Sequence, residues 1–265
     1  MEIHEAPGLR CELREDGILL MTLDRPEILN PISVEVREAW NAQLQAIERD
    51  AADCAAVVIT GSGRFFCAGG DVAGMPDFLG SGSERAASHM LRFQEMTRLV
   101  HRLSVPVIAA VNGPALGGGT AVALASDLRV ASDDALFSIG HVRRSVVPDL
   151  GVTYLLPRIV GLGKALELMM TDRRIDAAEA LDIGLVNRVV PKERVLDEAL
   201  AWAAELAEMP QPTLRWIKRV TYSNLDASFD GALIAEASAI GMMTGTEEFQ
   251  AGLQAFIGKN GASQE

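Results

Sequence analysis

The sequence predicts an α/β fold that gives way to helices toward the C-terminus, on three observations. Short, β-branched apolar runs alternate with amphipathic helical patterns over roughly the first 160 of its 265 residues. Glycines gather in two strings, each just after an apolar run. Beyond about residue 160 the periodicity becomes mostly helical. Alternation of strand and helix implies a parallel sheet with crossover helices.

Ile18–Leu23 (ILLMTL) reads as the first strand, and Ser33 then stands as an N-cap candidate before a helix reaching about Ile47. The run from Ala55 to Thr60, closed by Gly61-Ser62-Gly63, reads as a buried strand. Gly80-Ser81-Gly82-Ser83 collects turn formers without an apolar anchor and predicts a mobile loop. Met96, Leu99, Val100 and Leu103 fall at i, i+3, i+4 and i+7, one face of a helix. Val105–Val111 and Asp127–Ala131 are two further strands. Leu196, Ala199, Leu200 and Ala203 repeat the helical spacing, Pro210 and Pro212 break the chain, and helices follow from 213 to 260. This divides the protein into an α/β part over 1–195 and a helical subdomain over 196–265.

Composition excludes several function classes. Lys and Arg total 24 against 36 Asp and Glu, a formal net charge of −12. Such a chain lacks the basic footprint of a nucleic-acid binder. Cys11, Cys54 and Cys67 form no C-x-x-C pair, so a reducing compartment and a cytoplasmic protein are expected. The N-terminus lacks the basic start and apolar run of a secretory leader. No apolar stretch approaches the roughly 18 residues of a membrane span. His4, His89, His101 and His141 are scattered, with no H-E-x-x-H and no Cys/His cluster, so no metal is expected.

The chemistry concentrates in the glycine strings. One is Phe65-Phe66-Cys67-Ala68-Gly69-Gly70-Asp71; the other is Asn112-Gly113-Pro114-Ala115-Leu116-Gly117-Gly118-Gly119, leading into Thr120-Ala121-Val122-Ala123. Glycine after a strand permits positive φ and close approach of backbone to a ligand. The first N–H groups of a following helix have no intrahelical partner and carry the positive end of its dipole. Two such loops can aim two N–H groups at one developing oxyanion. Each string alone also fits a tight turn and close helix packing. Neither fits a P-loop, a dinucleotide fingerprint or the G-x-S-x-G nucleophile elbow.

Four blocks in order make the chain resemble the enoyl-CoA hydratase/isomerase (crotonase) superfamily. They are LDRPEILNPIS (23–33), FFCAGGDVAGM (65–75), VNGPALGGGTAVALASDLRVAS (111–132) and VVPDLGVTYLLPRIVGLGKALELMMTDRRIDAAEALDIGLVNRVVP (146–191). A fifth, EEFQAGLQAFIGKN (247–260), resembles the family's last helix. The resemblance implies an α/β, crotonase-like spiral of ββα turns with a C-terminal helical trimerisation region, forming a homotrimer or dimer of trimers. It implies an acyl-CoA substrate with no metal, redox cofactor, nucleic acid or membrane partner. Gly70 and Gly118 fall on the two oxyanion-hole positions. Ala68, Asp71 and Val72 fall where the family's backbone meets CoA, with Gly117 beside them and Ile28 and Leu29 on the opposite wall.

Departures from the family pattern decide the expected chemistry. The two glutamates that hold water in the hydratases correspond here to Ala121 and His141. Alanine can neither accept nor deliver a proton, so two-glutamate hydration is disfavoured. Asp149, eight residues past His141, stands where some of the family's isomerases and dehalogenases place an aspartate. Asp149 also fits an N-cap for a helix starting near Gly151, and His141 also fits a core or pocket-edge histidine. The expectation is therefore an enoyl-CoA isomerase in which Asp149 moves a proton between two carbons. The alternatives are a hydratase, hydrolase or dehalogenase working through His141 or Asp149, and a non-catalytic acyl-CoA binder.

Overall fold

The computed structural model describes residues 1–71 and 82–261, with side chains as far as 254. Val72, and Gly80 and Ser81 of the glycine–serine run, lie outside the described residues. Two compact units are present, Met1–Ala207 and Glu208–Glu265.

The first unit is built on a six-stranded sheet. In chain order its strands are β1 (Leu9–Leu13), β2 (Ile18–Leu23), β3 (Ala56–Gly61), β4 (Val107–Val111), β6 (Leu128–Ser132) and β9 (Arg188–Val190), and they lie side by side in that same order. β1 and β2 form an antiparallel hairpin, and every later pairing is parallel. Parallel neighbours need crossovers; the first three run through α1 (Val34–Arg49), α2 (Ser83–Arg102) and α3 (Gly118–Ala125), and the fourth is the long connection from β6 to β9. Ser33 caps α1 as expected, its Oγ accepting from the Val36 N–H at 3.3 Å. A second, three-stranded sheet joins β5 (Ala115–Leu116), β7 (Leu136–Ser138) and β8 (Ile175–Asp176).

Both faces of the central strands β2, β3 and β4 are covered, which is why these strands are almost wholly apolar, whereas the edge strand β1 exposes Arg10 and Glu12. Leu19, Val57, Ile59, Val107 and Ala109 pack with Val36, Trp40 and Leu44 of α1 and Met96 and Val100 of α2. The alternate residues Ile18, Ala56, Val58, Ile108 and Ala110 pack against Val195, Ala199 and Ala203 of α7 (Val195–Ala207). The α/β unit therefore extends to Ala207, where the sequence suggested 195. Helix α7 belongs to the sheet because its small residues at i and i+4 let it lie close to the strands.

Three more helices complete the first unit: α4 (Val152–Val160), α5 (Leu162–Thr171) and α6 (Ala177–Asp182). The second unit holds α8 (Gln211–Asn224), α9 (Phe229–Met243) and α10 (Glu247–Gly261). Pro212 sits in the first turn of α8, where its missing N–H costs no bond. Among the described residues no helix is long and apolar enough to cross a membrane.

Candidate active site

The site is assembled where two loops leave the sheet together. After β3 the chain is stapled by buried Asn30, whose Nδ2 donates to the carbonyls of Ser62 and Phe65 at 2.8 Å each. Gly70 then pairs with Ile32 in a parallel bridge: the Ile32 N–H donates to Gly69 O at 2.8 Å and the Asp71 N–H to Ile32 O at 2.9 Å. In that geometry the residues flanking Gly70 use the ladder, and the N–H of Gly70 itself points to the other side. Burial pushes the neighbouring Cys67 thiol up to about 12, so it packs rather than reacts.

The second loop lies against the first. The Leu116 N–H donates to Cys67 O at 2.9 Å, and Gly117, with φ 54° and ψ −115°, turns the chain into α3. Gly118 is therefore the first residue of a helix, with no turn before it to accept its N–H. Contact is so close that a Cβ on Gly119 would stand 2.3 Å from Cys67 O, and one on Gly118 would stand 3.5 Å from the nitrogen of Gly70. Among the described residues, neither the Gly70 nor the Gly118 amide has a hydrogen-bond acceptor. Both glycines line one cavity of about 380 Å³.

His141 and Asp149 line the same cavity and touch each other, His141 Nε2 lying 3.0 Å from Asp149 Oδ1. The turn carrying His141 is pinned by buried Asp172. Its carboxylate accepts from Ser138 Oγ at 2.8 Å, from the Gly140 N–H at 2.6 Å and from Arg143 Nε at 2.9 Å. Burial works against the charge on Asp172, but these three donors outweigh it and hold its carboxyl below the usual range.

The protonation of His141 follows from its partners. Nδ1 faces the carbonyl of Ile139, which can only accept, so Nδ1 carries a proton. Nε2 lies 3.0 Å from Asp149 Oδ1 and, when the ring is protonated, donates to that carboxylate. Burial alone would lower the His141 pKa, but the Asp149 carboxylate and the Ile139 carbonyl outweigh it and raise it above 6.5. Asp149 is not the helix cap that its position after Pro148 allowed. The N-cap of α4 is Gly151, at φ 82°, with no side-chain bond.

Of the remaining sequence candidates, Ala68, Asp71 and Gly117 also line the cavity. Ile28 and Leu29 stand outside its lining; Leu29 instead accepts from the Ala68 N–H at 3.0 Å. Ala121 is fully buried in the core. Sequence reasoning missed Arg37 of α1 and Phe93 of α2, which also face the cavity. For Arg37 a signal existed: it falls between Val36 and Trp40 on the apolar face of α1, where charge is out of place. Among the described residues no three metal-ligating side chains gather.

A sequence profile of the enoyl-CoA hydratase/isomerase family matches residues 13–264. A Mycobacterium bovis protein named probable enoyl-CoA hydratase is 39% identical over 216 residues, covering 80% of this chain and 75% of its own. A crotonyl-CoA hydratase of Syntrophomonas wolfei is 34% identical over 251 residues, covering 94% of this chain and 95% of its own. The solved enoyl-CoA hydratase/isomerase of Cupriavidus metallidurans CH34 superposes with a TM-score of 0.90 at 33% identity, over 95% of this chain and 94% of that one. The chain belongs to the enoyl-CoA hydratase/isomerase family and has its crotonase-type α/β fold.

Proposed function

We propose that this protein shifts the double bond of an unsaturated acyl-CoA through an enolate. The observation that carries the reading is the His141–Asp149 contact, in one cavity with two unspent glycine amides. The thioester oxygen accepts from the N–H groups of Gly70 and Gly118. Asp149 takes a proton from the α-carbon of a 3-enoyl thioester, and the electron pair moves onto the oxygen to give a dienolate. Returning the proton to the γ-carbon leaves the 2-enoyl thioester. Only one base within reach of both carbons is needed, and nothing is oxidised or reduced, so no metal or redox cofactor is called for.

Charge favours this cycle. With His141 protonated, the pair before reaction is an imidazolium beside a carboxylate, neutral in sum. After Asp149 takes the proton, the pair carries one positive charge opposite the negative dienolate. Attraction across a partly dry cavity stabilises that state more than it would in water. Hydration is the second reading, and the names of the relatives favour it. The chain has Ala121 and His141 at the water-holding positions, so hydration here would run through the His141–Asp149 pair.

Incubation with 3-enoyl-CoA and 2-enoyl-CoA in deuterated water, followed by mass spectrometry, separates these readings. Bond migration with deuterium at the α- or γ-carbon supports the isomerase. Addition of deuterium oxide without migration replaces it with the hydratase. Binding of both esters with neither change leaves a non-catalytic acyl-CoA binder. We further propose a cytoplasmic homotrimer or dimer of trimers; three buried cysteines, none of them in a disulfide, support a reducing compartment.

A further inference from the structure

Among the described residues, Arg37 stands alone among the charged groups of the cavity in being buried without a matching partner. Its side chain is only 9% exposed. The one side-chain hydrogen bond it makes among the described residues runs from Nη2 to Glu38 Oε1 at 3.5 Å, and Glu38 is its immediate neighbour, 70% exposed. Successive residues on a helix do not face each other, so this contact is marginal. A guanidinium carries five N–H donors in a fixed fork and stays charged at any ordinary pH. Burying one without an acceptor is costly. None of its nitrogens is sealed off unpartnered, and the residue lines the cavity shared with Gly70, Gly118, His141 and Asp149, where a bound group can reach it. The three carboxylates of the lining are engaged elsewhere: Asp149 with His141 at 3.0 Å, Asp71 with Arg25 at 3.5 Å, and the exposed Glu35 with Ser33.

We propose that Arg37 is a specificity residue that receives a carboxylate carried by the acyl group, so that the preferred substrates are mono-CoA esters of unsaturated dicarboxylic acids. The inference rests on the acyl-CoA reading of the cavity. A carboxylate matches the fork with two parallel hydrogen bonds and neutralises the buried charge. A methyl-ended acyl chain would leave the donors unmet. An anionic oxygen is also present on the CoA phosphates, and the experiment separates the two sources.

Binding of saturated esters tests this without any turnover. Isothermal titration would compare the saturated mono-CoA ester of a short dicarboxylic acid, the methyl-ended acyl-CoA of equal length, and free CoA. The native protein should bind the carboxylated ester most tightly. Arg37→Met, of similar volume, should weaken that ester about 10- to 100-fold and change the other two less than about 3-fold. Equal losses for all three ligands would assign Arg37 to the CoA phosphates and overturn the proposal, as would no loss at all. Should Arg37→Met fail to fold, Arg37→Lys keeps the charge but not the fork. It should then lose affinity for the carboxylated ester alone, and equal affinity for the three relative to native would equally overturn the proposal. Absence of deuterium exchange in the enoyl-CoA assay would refute the isomerase and leave this binding comparison intact.

Discussion

At the scale of single residues, the proposed chemistry depends on two side chains eight positions apart that meet. Asp149→Asn removes the proposed base and keeps the shape. Turnover should fall about 10²- to 10⁴-fold with CoA-ester binding little changed; undiminished turnover would transfer the proton step to His141. The same substitution should lower the His141 pKa, because burial remains while the carboxylate that raises it is gone. A ring-proton titration followed by nuclear magnetic resonance reads that shift directly. The folded-state pKa of His141 is raised, so the stability contributed by the charged pair is complete below about pH 6.5 and disappears as pH rises through the raised value. The stability gap between native and Asp149→Asn proteins should narrow across that rise. The identity of both residues was legible in the sequence, but their contact was not. Between them the chain turns at Ser145, and Leu150 follows Asp149 directly, with φ of 58° and 53°. Left-handed backbone at residues other than glycine has no clear sequence signature.

At the scale of elements, the two glycine loops act as one unit because nothing larger than hydrogen fits between them. Gly119→Ala would drive a Cβ to 2.3 Å from Cys67 O and 2.8 Å from Cys67 Cβ, forcing apart the loops that present Gly70 and Gly118. Overpacking of this kind costs about 1–3 kcal/mol or more, and a displacement of about 1 Å near the reacting atoms costs on the order of 100-fold in rate. Gly163→Ala on α5 is the control: a Cβ there meets nothing within 4 Å. It should be neutral or stabilising by up to about 1 kcal/mol. Melting temperature and turnover of the pair check this, and a Gly119→Ala protein indistinguishable from native would refute the close-approach account. The strands β2, β3 and β4 were legible because each is a nearly continuous apolar run buried on both faces. The strands β5 and β8 were not, since each is two residues long and exists only because β7 lies between them. Local sequence cannot specify an element whose pairing is entirely tertiary.

At the scale of the whole molecule, the helical C-terminal unit presents apolar surface that one chain leaves uncovered. Along α9, Phe229 is 78% exposed, Ile234 68% and Ile240 62%, and only Ala239 is buried. A helix apolar around most of its circumference belongs inside a larger core, and apolar patches of this kind mark association surfaces. The occupant expected is a second and third copy of this chain. Each copy carries a net charge of −12, so assembly must overcome mutual repulsion, and apolar burial is the term able to do so. Light scattering coupled to gel filtration should give about three times the 28.4 kDa of one chain, or a multiple of that. The assembly should persist or tighten as salt is raised, because screening weakens the repulsion while leaving apolar burial intact. Phe229→Asp combined with Ile234→Asp adds charge to this exposed apolar face and should return the protein to 28.4 kDa with its α/β unit still folded. A native protein that runs as a monomer at every salt concentration, or a double variant that still assembles, would remove α9 from the interface.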